Sequence, residues 1–148
     1  MENTRVLFQT LARRFGMLDK NCCSVGGMDI SLVHSHILYE IDQLEKPSMQ
    51  QVAERLGIDI TTFSRQIQNL IKMDLVRKTT HAEDRRVYLL SLTTQGKYVA
   101  TCIDAEMNQY LEEVFSHMNE FERDTVIRSI TLLNEAMAKS SVCCKPFG

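Results

Sequence analysis

Residues 50–71 read QQVAERLGIDITTFSRQIQNLI, two apolar periodicities separated only by Gly57, Ile58 and Asp59. Met49, Val52, Ala53 and Leu56 recur at i, i+3, i+4 and i+7, one face of a short helix. Ser48 with Gln51 three residues later makes a capping box at its start, and Gly57 suits the left-handed residue that closes a helix. Asp59 or Thr61 begins a second helix, whose Ile60, Phe63, Ile67, Leu70 and Ile71 share a side. Two helices joined by about three residues with a glycine must cross steeply and share one small core, which is the helix-turn-helix arrangement.

The flanks decide what carries that unit. Val6 or Leu7, Leu11, Phe15 and Leu18 predict a first helix, ended by a loop in NCCSVGG. Asp29 caps a second helix with Ile30, Val33, Ile37, Ile41 and Leu44 on one stripe, ending near Glu45 because Pro47 disfavours helix before it. After Asp74 the period changes: residues 75–80 and 87–93 are rich in β-branched and aromatic residues and predict a hairpin around the polar HAED. From Gln95 a long stripe follows through Val99, Ile103, Met107, Tyr110 or Leu111, Val114 and Met118. A break near Asn119 precedes a last helix marked by Phe121, Ile127, Ile130, Leu133 and Met137. The fold class is therefore mainly α with a small β-hairpin wing.

With Phe63, Ile67 and Leu70 turned inward at about 100° per residue, Thr61, Thr62, Arg65, Gln68, Asn69 and Lys72 lie toward the outer face, and Gln66 joins them as a candidate contact. Arginine reads guanine bidentately, glutamine and asparagine read adenine, and threonine touches a thymine methyl or a phosphate. A plain solvated helix face has the same composition, so the hairpin matters. Arg85 and Arg86 at its turn suit the negative potential of a minor groove. Arg77 and Lys78 on its first strand suit backbone phosphates, or else protect a sheet edge from aggregation.

Charge distribution agrees. The net charge is −2, yet residues 46–97 hold 9 basic and 5 acidic side chains, against 4 and 6 in residues 1–45 and 4 and 8 in residues 98–148. A polyanion would meet the middle of the chain. No apolar run approaches the ~18–20 residues of a membrane span and the start lacks a signal-peptide pattern, so the expected location is the cytoplasm, with no membrane partner.

Asp84, Arg86, Leu92, Thr93 and Gly96 in EDRRVYLLSLTTQG resemble the wing signature of MarR-type winged-helix transcription regulators, and QVAERLGIDITTFSRQIQNLIKMDLVRK resembles that family's helix-turn-helix. The resemblance covers nearly the whole chain and implies one domain over residues 1–148. Within it, a winged helix-turn-helix DNA-binding lobe would occupy residues 30–97, and N- and C-terminal dimerisation helices residues 1–25 and 98–148. It further implies a homodimer on a palindromic operator in double-stranded DNA, with Arg86 in the minor groove and Asp84 orienting it. The implied activity is that of a repressor released by a small ligand or by thiol chemistry.

The cysteines bear on that release. They number five, with Cys22 and Cys23 in one doublet and Cys143 and Cys144 in another. Thiolates from both doublets suit a soft metal or metalloid, or an oxidant sensor; incidental thiols are the plain alternative. No cofactor is required, and no other metal site is indicated. Cys102, beside Ile103, reads as a packing residue. His34 and His36 point about 200° apart on one helix and cannot share a metal. Phe15 and His36 are candidates for an effector pocket. A thiol-based redox or metal-binding protein and a winged helix used only for protein contacts are the rival readings. An enzyme is not expected, since glycine loops for phosphate, nucleophile elbows and paired metal-ligand motifs are missing.

Overall fold

The computed structural model describes the backbone of residues 3–22, 24–25 and 28–140 and the side chains of residues 3–15 and 30–140. The element order is α1 (Thr4–Cys22), β1 (Ser24–Val25), β2 (Met28–Asp29), α2 (Leu32–Gln43), α3 (Met49–Leu56), α4 (Ile60–Lys72), β3 (Val76–Thr80), β4 (Tyr88–Leu92), α5 (Thr94–Phe115) and α6 (Glu120–Lys139). Mainly helical architecture with one wing hairpin is as expected. The segment read as a loop, residues 21–27, instead takes α1 on to Cys22 and contributes β1 to an antiparallel pair with β2, Ser24 opposite Asp29. Asp29 is thereby drawn into a strand, and the cap of α2 passes to Ser31, whose hydroxyl accepts from the His34 amide at 3.1 Å. The helix ends at Gln43, two residues before the expected Glu45.

α3 and α4 follow their local chemistry closely. Ser48 accepts from the Gln51 amide at 3.1 Å while the Gln51 side chain accepts from the Ser48 amide at 2.8 Å, completing the box. Gly57 closes α3 at φ 66°, a left-handed position that costs glycine nothing. Asp59 caps α4. Its far end turns through Asp74 at φ 60°, with the Leu75 amide donating to the Leu70 carbonyl at 3.0 Å, so the chain leaves the helix directly into β3.

The core lies where α2, α3 and α4 meet the hairpin and the start of α5. Ile37, Val52, Phe63, Leu70, Leu90 and Val99 are each fully buried, and burying such side chains contributes about 1.5–3 kcal/mol apiece. Three expected members of the inward stripes are instead exposed: Val33 by 40%, Ile60 by 52% and Ile71 by 37%. Ile60 and Val33 line surface grooves, Ile60 beside the wing and Val33 beside α3. Cys102 is half-buried and packs against the core, in keeping with a packing role.

The wing is anchored at its base. β3 and β4 pair antiparallel from Val76 opposite Leu92 to Thr80 opposite Tyr88, one residue inside the expected limits for most ends. The Leu90 amide donates to the Pro47 carbonyl at 2.8 Å and Ser48 forms a bridge with Leu89, so the start of α3 lies along the other edge of β4. Buried Thr93 donates its hydroxyl to the Asp74 carbonyl at 2.6 Å and accepts from the Gly96 amide at 2.9 Å. A Cβ on Gly96 would run into the Leu75 carbonyl. Thr93 and Gly96 therefore clamp α5 to the turn that ends α4.

The chain's outer helices are different. α6 buries none of its residues, and Phe121 is 78% and Leu132 66% exposed. On α1, Val6, Leu7, Phe8, Leu11 and Phe15 are all exposed. Amphipathic helices of this length keep apolar faces only where something covers them.

Candidate nucleic-acid interface

α4 is held by its cap. The Asp59 carboxylate accepts from the Thr61 and Thr62 amides at 3.0 and 3.1 Å and from the Thr62 hydroxyl at 2.6 Å. The Thr62 hydroxyl bond, with the backbone amides and the nearby Arg65 charge, holds the Asp59 carboxyl below the usual carboxylate range. Thr61, Arg65, Gln68, Asn69 and Lys72 are exposed on the outer side. Thr62 and Gln66 are not. Both are half-buried on the flank facing α2, and the Gln66 amide oxygen lies 2.7 Å from His34 Nε2. The other nitrogen of that ring, Nδ1, is buried without a hydrogen-bond partner among the described residues.

In the wing, the Asp84 carboxylate accepts from the Arg86 backbone amide at 3.0 Å and from its Nε at 3.1 Å. The Arg86 side chain remains 91% exposed. These bonds, the side-chain one foremost, hold the Asp84 carboxyl low. Arg85 and Arg77 are exposed. Successive residues of a strand point to opposite faces, so Arg77 and Lys78 diverge. The Lys78 ammonium lies 4.5 Å over the Tyr88 ring, an arrangement that positions the cation without neutralising it.

Lys78, Arg86 and Tyr88 share a groove of about 380 Å³ with Ile60 and Ser64 of α4. Sequence reasoning did not include the last two. Ser64 could have been found, since it follows Thr61 by three residues and precedes Gln68 by four; Ile60 was assigned to the core. A second cavity, of about 460 Å³, lies among α1, α2 and α5, where Phe15, His36, Tyr39 and Met107 contribute to its wall. Lys97 and Asp42, paired across α5 and α2, stand at the same cavity. Phe15 and His36, the residues named as effector-pocket candidates, both line this cavity.

Of the cysteine doublets, Cys23, Cys143 and Cys144 lie outside the described residues, and Cys22 is described only as the backbone end of α1. Among the described residues no three His, Cys, Asp or Glu side chains are grouped to hold a metal, and no helix is long and apolar enough to cross a membrane.

Residues 30–88 match the family profile described as MarR family. The winged lobe is thus similar to the MarR family over that stretch. The matched stretch contains α2 to α4 and the wing up to the start of β4. The HTH-type transcriptional regulator SarZ of Staphylococcus aureus (strain USA300) is 29% identical over 96 residues, which make up 65% of this chain and 62% of SarZ. The chain thus spans less than two thirds of that relative's length. FabT of Streptococcus pneumoniae, solved in complex with DNA, superposes with a TM-score of 0.81 at 20% identity, covering 92% of this chain and 98% of FabT. PcaV of Streptomyces coelicolor, solved with its natural ligand, gives a TM-score of 0.74 at 18% identity over 90% of this chain and 93% of PcaV. At these identities the two structures establish the fold alone.

Proposed function

We propose that the protein is a sequence-specific, double-stranded-DNA-binding transcription regulator that acts as a homodimer in the cytoplasm and has no enzymatic role. The observation that carries this reading is the pairing of an outward polar helix face, Thr61, Arg65, Gln68, Asn69 and Lys72, with an exposed wing arginine held in place by Asp84. Arg65, Gln68 and Asn69 read bases in a major groove, while Arg86, with Arg85 beside it, enters the adjacent minor groove. Arg77, Lys78 and Lys72 take phosphates. Thr62 and Gln66 act from behind, by fixing the helix to its cap and to α2. SarZ, named as a transcriptional regulator, and FabT, solved with DNA, support the assignment.

The exposed apolar stripes of α1 and α6 supply the dimer contact, so residues 1–25 and 98–148 pair the two lobes residues 30–97 provide. Two-fold symmetry then sets half-sites about 34–36 Å apart. The cavity among α1, α2 and α5 receives a small, mostly apolar effector that releases the operator; the natural-ligand complex of PcaV supports such a site.

A titration of the purified chain against its own upstream duplex tests the reading. A dimer neutralising about 6–10 phosphates should lose roughly 10³- to 10⁵-fold in affinity between about 50 and about 200 mM salt. Arg65→Ala should change base preference, whereas Lys72→Ala should weaken all sequences alike. A strictly monomeric protein with flat salt dependence would refute it.

A further inference from the structure

The groove between α4 and the wing contains a side chain that neither the core nor a charge-based reading of the interface explains. Ile60 is 52% exposed although Phe63, three residues on, is fully buried. It shares the groove with Ser64, Lys78, Arg86 and Tyr88. Ser64 is half-buried, and its hydroxyl has no hydrogen-bond partner among the described residues. The pocket thus offers a cation aimed by an aromatic ring, a free hydroxyl and an apolar platform side by side.

On the DNA-binding reading above, α4 and the wing enter neighbouring grooves of one duplex. The strand that separates those grooves must then pass between them. We propose that this groove seats one phosphodiester of that strand with its adjoining deoxyribose, Ser64 and Lys78 donating to the phosphate and Ile60 packing on the sugar. The Lys78 ammonium over Tyr88 supplies charge complementarity. Against Ile60, the CH₂ at C2′ of deoxyribose is a matching surface. A ribose would put a hydroxyl there with no partner, and an unpaired buried hydroxyl is costly. Ile60 is therefore a specificity-determining residue that selects deoxyribose at one nucleotide per half-site.

The test uses the full chain and a duplex selected from a random pool. Single methylphosphonate substitutions locate the phosphate whose neutralisation weakens the parent protein but not Lys78→Ala. A single ribonucleotide is then placed at the adjoining sugar. The expected result is a loss of about tenfold in the parent protein, kept in Ile60→Val and reduced to about threefold or less in Ile60→Thr, whose hydroxyl can partner the 2′-oxygen. Since Ile60 is exposed, both variants should keep the parent's circular dichroism and melting. A ribose tolerated by the parent protein overturns the proposal, as does an equal penalty in Ile60→Thr, which would assign it to duplex shape. If Ile60→Thr alters instead the response to deoxyuridine in place of thymidine, the residue reads a base methyl and the sugar assignment is wrong. Failure to select any duplex overturns the DNA-binding reading and this inference with it; a selected duplex with a flat ribose scan overturns this inference alone.

Discussion

Thr93→Val removes one oxygen from the centre of the clamp while keeping its shape. In the structure that hydroxyl caps α5 through the Gly96 amide at 2.9 Å and donates to the Asp74 carbonyl at 2.6 Å, and the residue is only 4% exposed. Loss of an N-cap costs ~1 kcal/mol. Loss of the second bond, with its partner part-buried, costs about 1 kcal/mol more. The two bonds share one atom and are counted once each, giving about 2 kcal/mol in total. For a chain of this size that lowers the melting temperature by roughly 4–8 °C. Urea unfolding at fixed protomer concentration, required because association adds to apparent stability, should show a lower midpoint with unchanged slope. Thr93→Ser retains both bonds and should recover most of the loss. A Val variant within about 0.5 kcal/mol of the parent would refute the reasoning, since it would mean that water or backbone rearrangement replaces both partners.

Gly96→Ala should destabilise more than an ordinary helix substitution, because the added methyl meets the Leu75 backbone rather than a movable side chain; urea midpoints alongside Thr93→Val check this. Asp74→Gly should stabilise by about 0.5–1 kcal/mol by relieving a left-handed position, and an unchanged or lower midpoint would contradict that account. The Asp59 carboxyl, lowered by its bonds to Thr62, should titrate below the ordinary ~3.9 in carboxyl-detected NMR. Because the folded-state value is the lower one, its stabilisation of α4 is complete above the unfolded-state value and disappears as pH falls through the folded-state value. Thr62→Ala should raise that titration toward the ordinary value, and no upward movement would refute the hydrogen bond as its main cause.

Local chemistry made much of this fold legible. The Ser48–Gln51 box, Gly57 and the Asp59 cap each bind backbone groups within a few residues, so sequence spacing suffices to find them. Long-range partners are another matter. Gln66 looked like an interface residue because helical periodicity cannot reveal His34, which lies 32 positions earlier in the sequence. Ile60 fitted the inward stripe by arithmetic, but a period assigns direction without saying how far the neighbouring element extends. Asp29 is the cap expected for α2, but its pairing with Ser24, which local spacing does not reveal, draws it into β2 and leaves Ser31 to cap the helix. In the candidate interface, the outward set of Thr61, Arg65, Gln68, Asn69 and Lys72 followed from the same periodicity that placed Phe63 in the core. Ser64 and Ile60 emerged only once the wing stood opposite them.

The bridge between Ser48 and Leu89 occupies one border of the wing's two-stranded sheet. Among the described residues only the β3 border stays open, and Arg77 and Lys78 stand on it. Two wings meeting edge to edge would bring like charges together at the very strands that would have to join. Self-association through the hairpins is thereby disfavoured, and on the proposed function the positive border stays free for DNA.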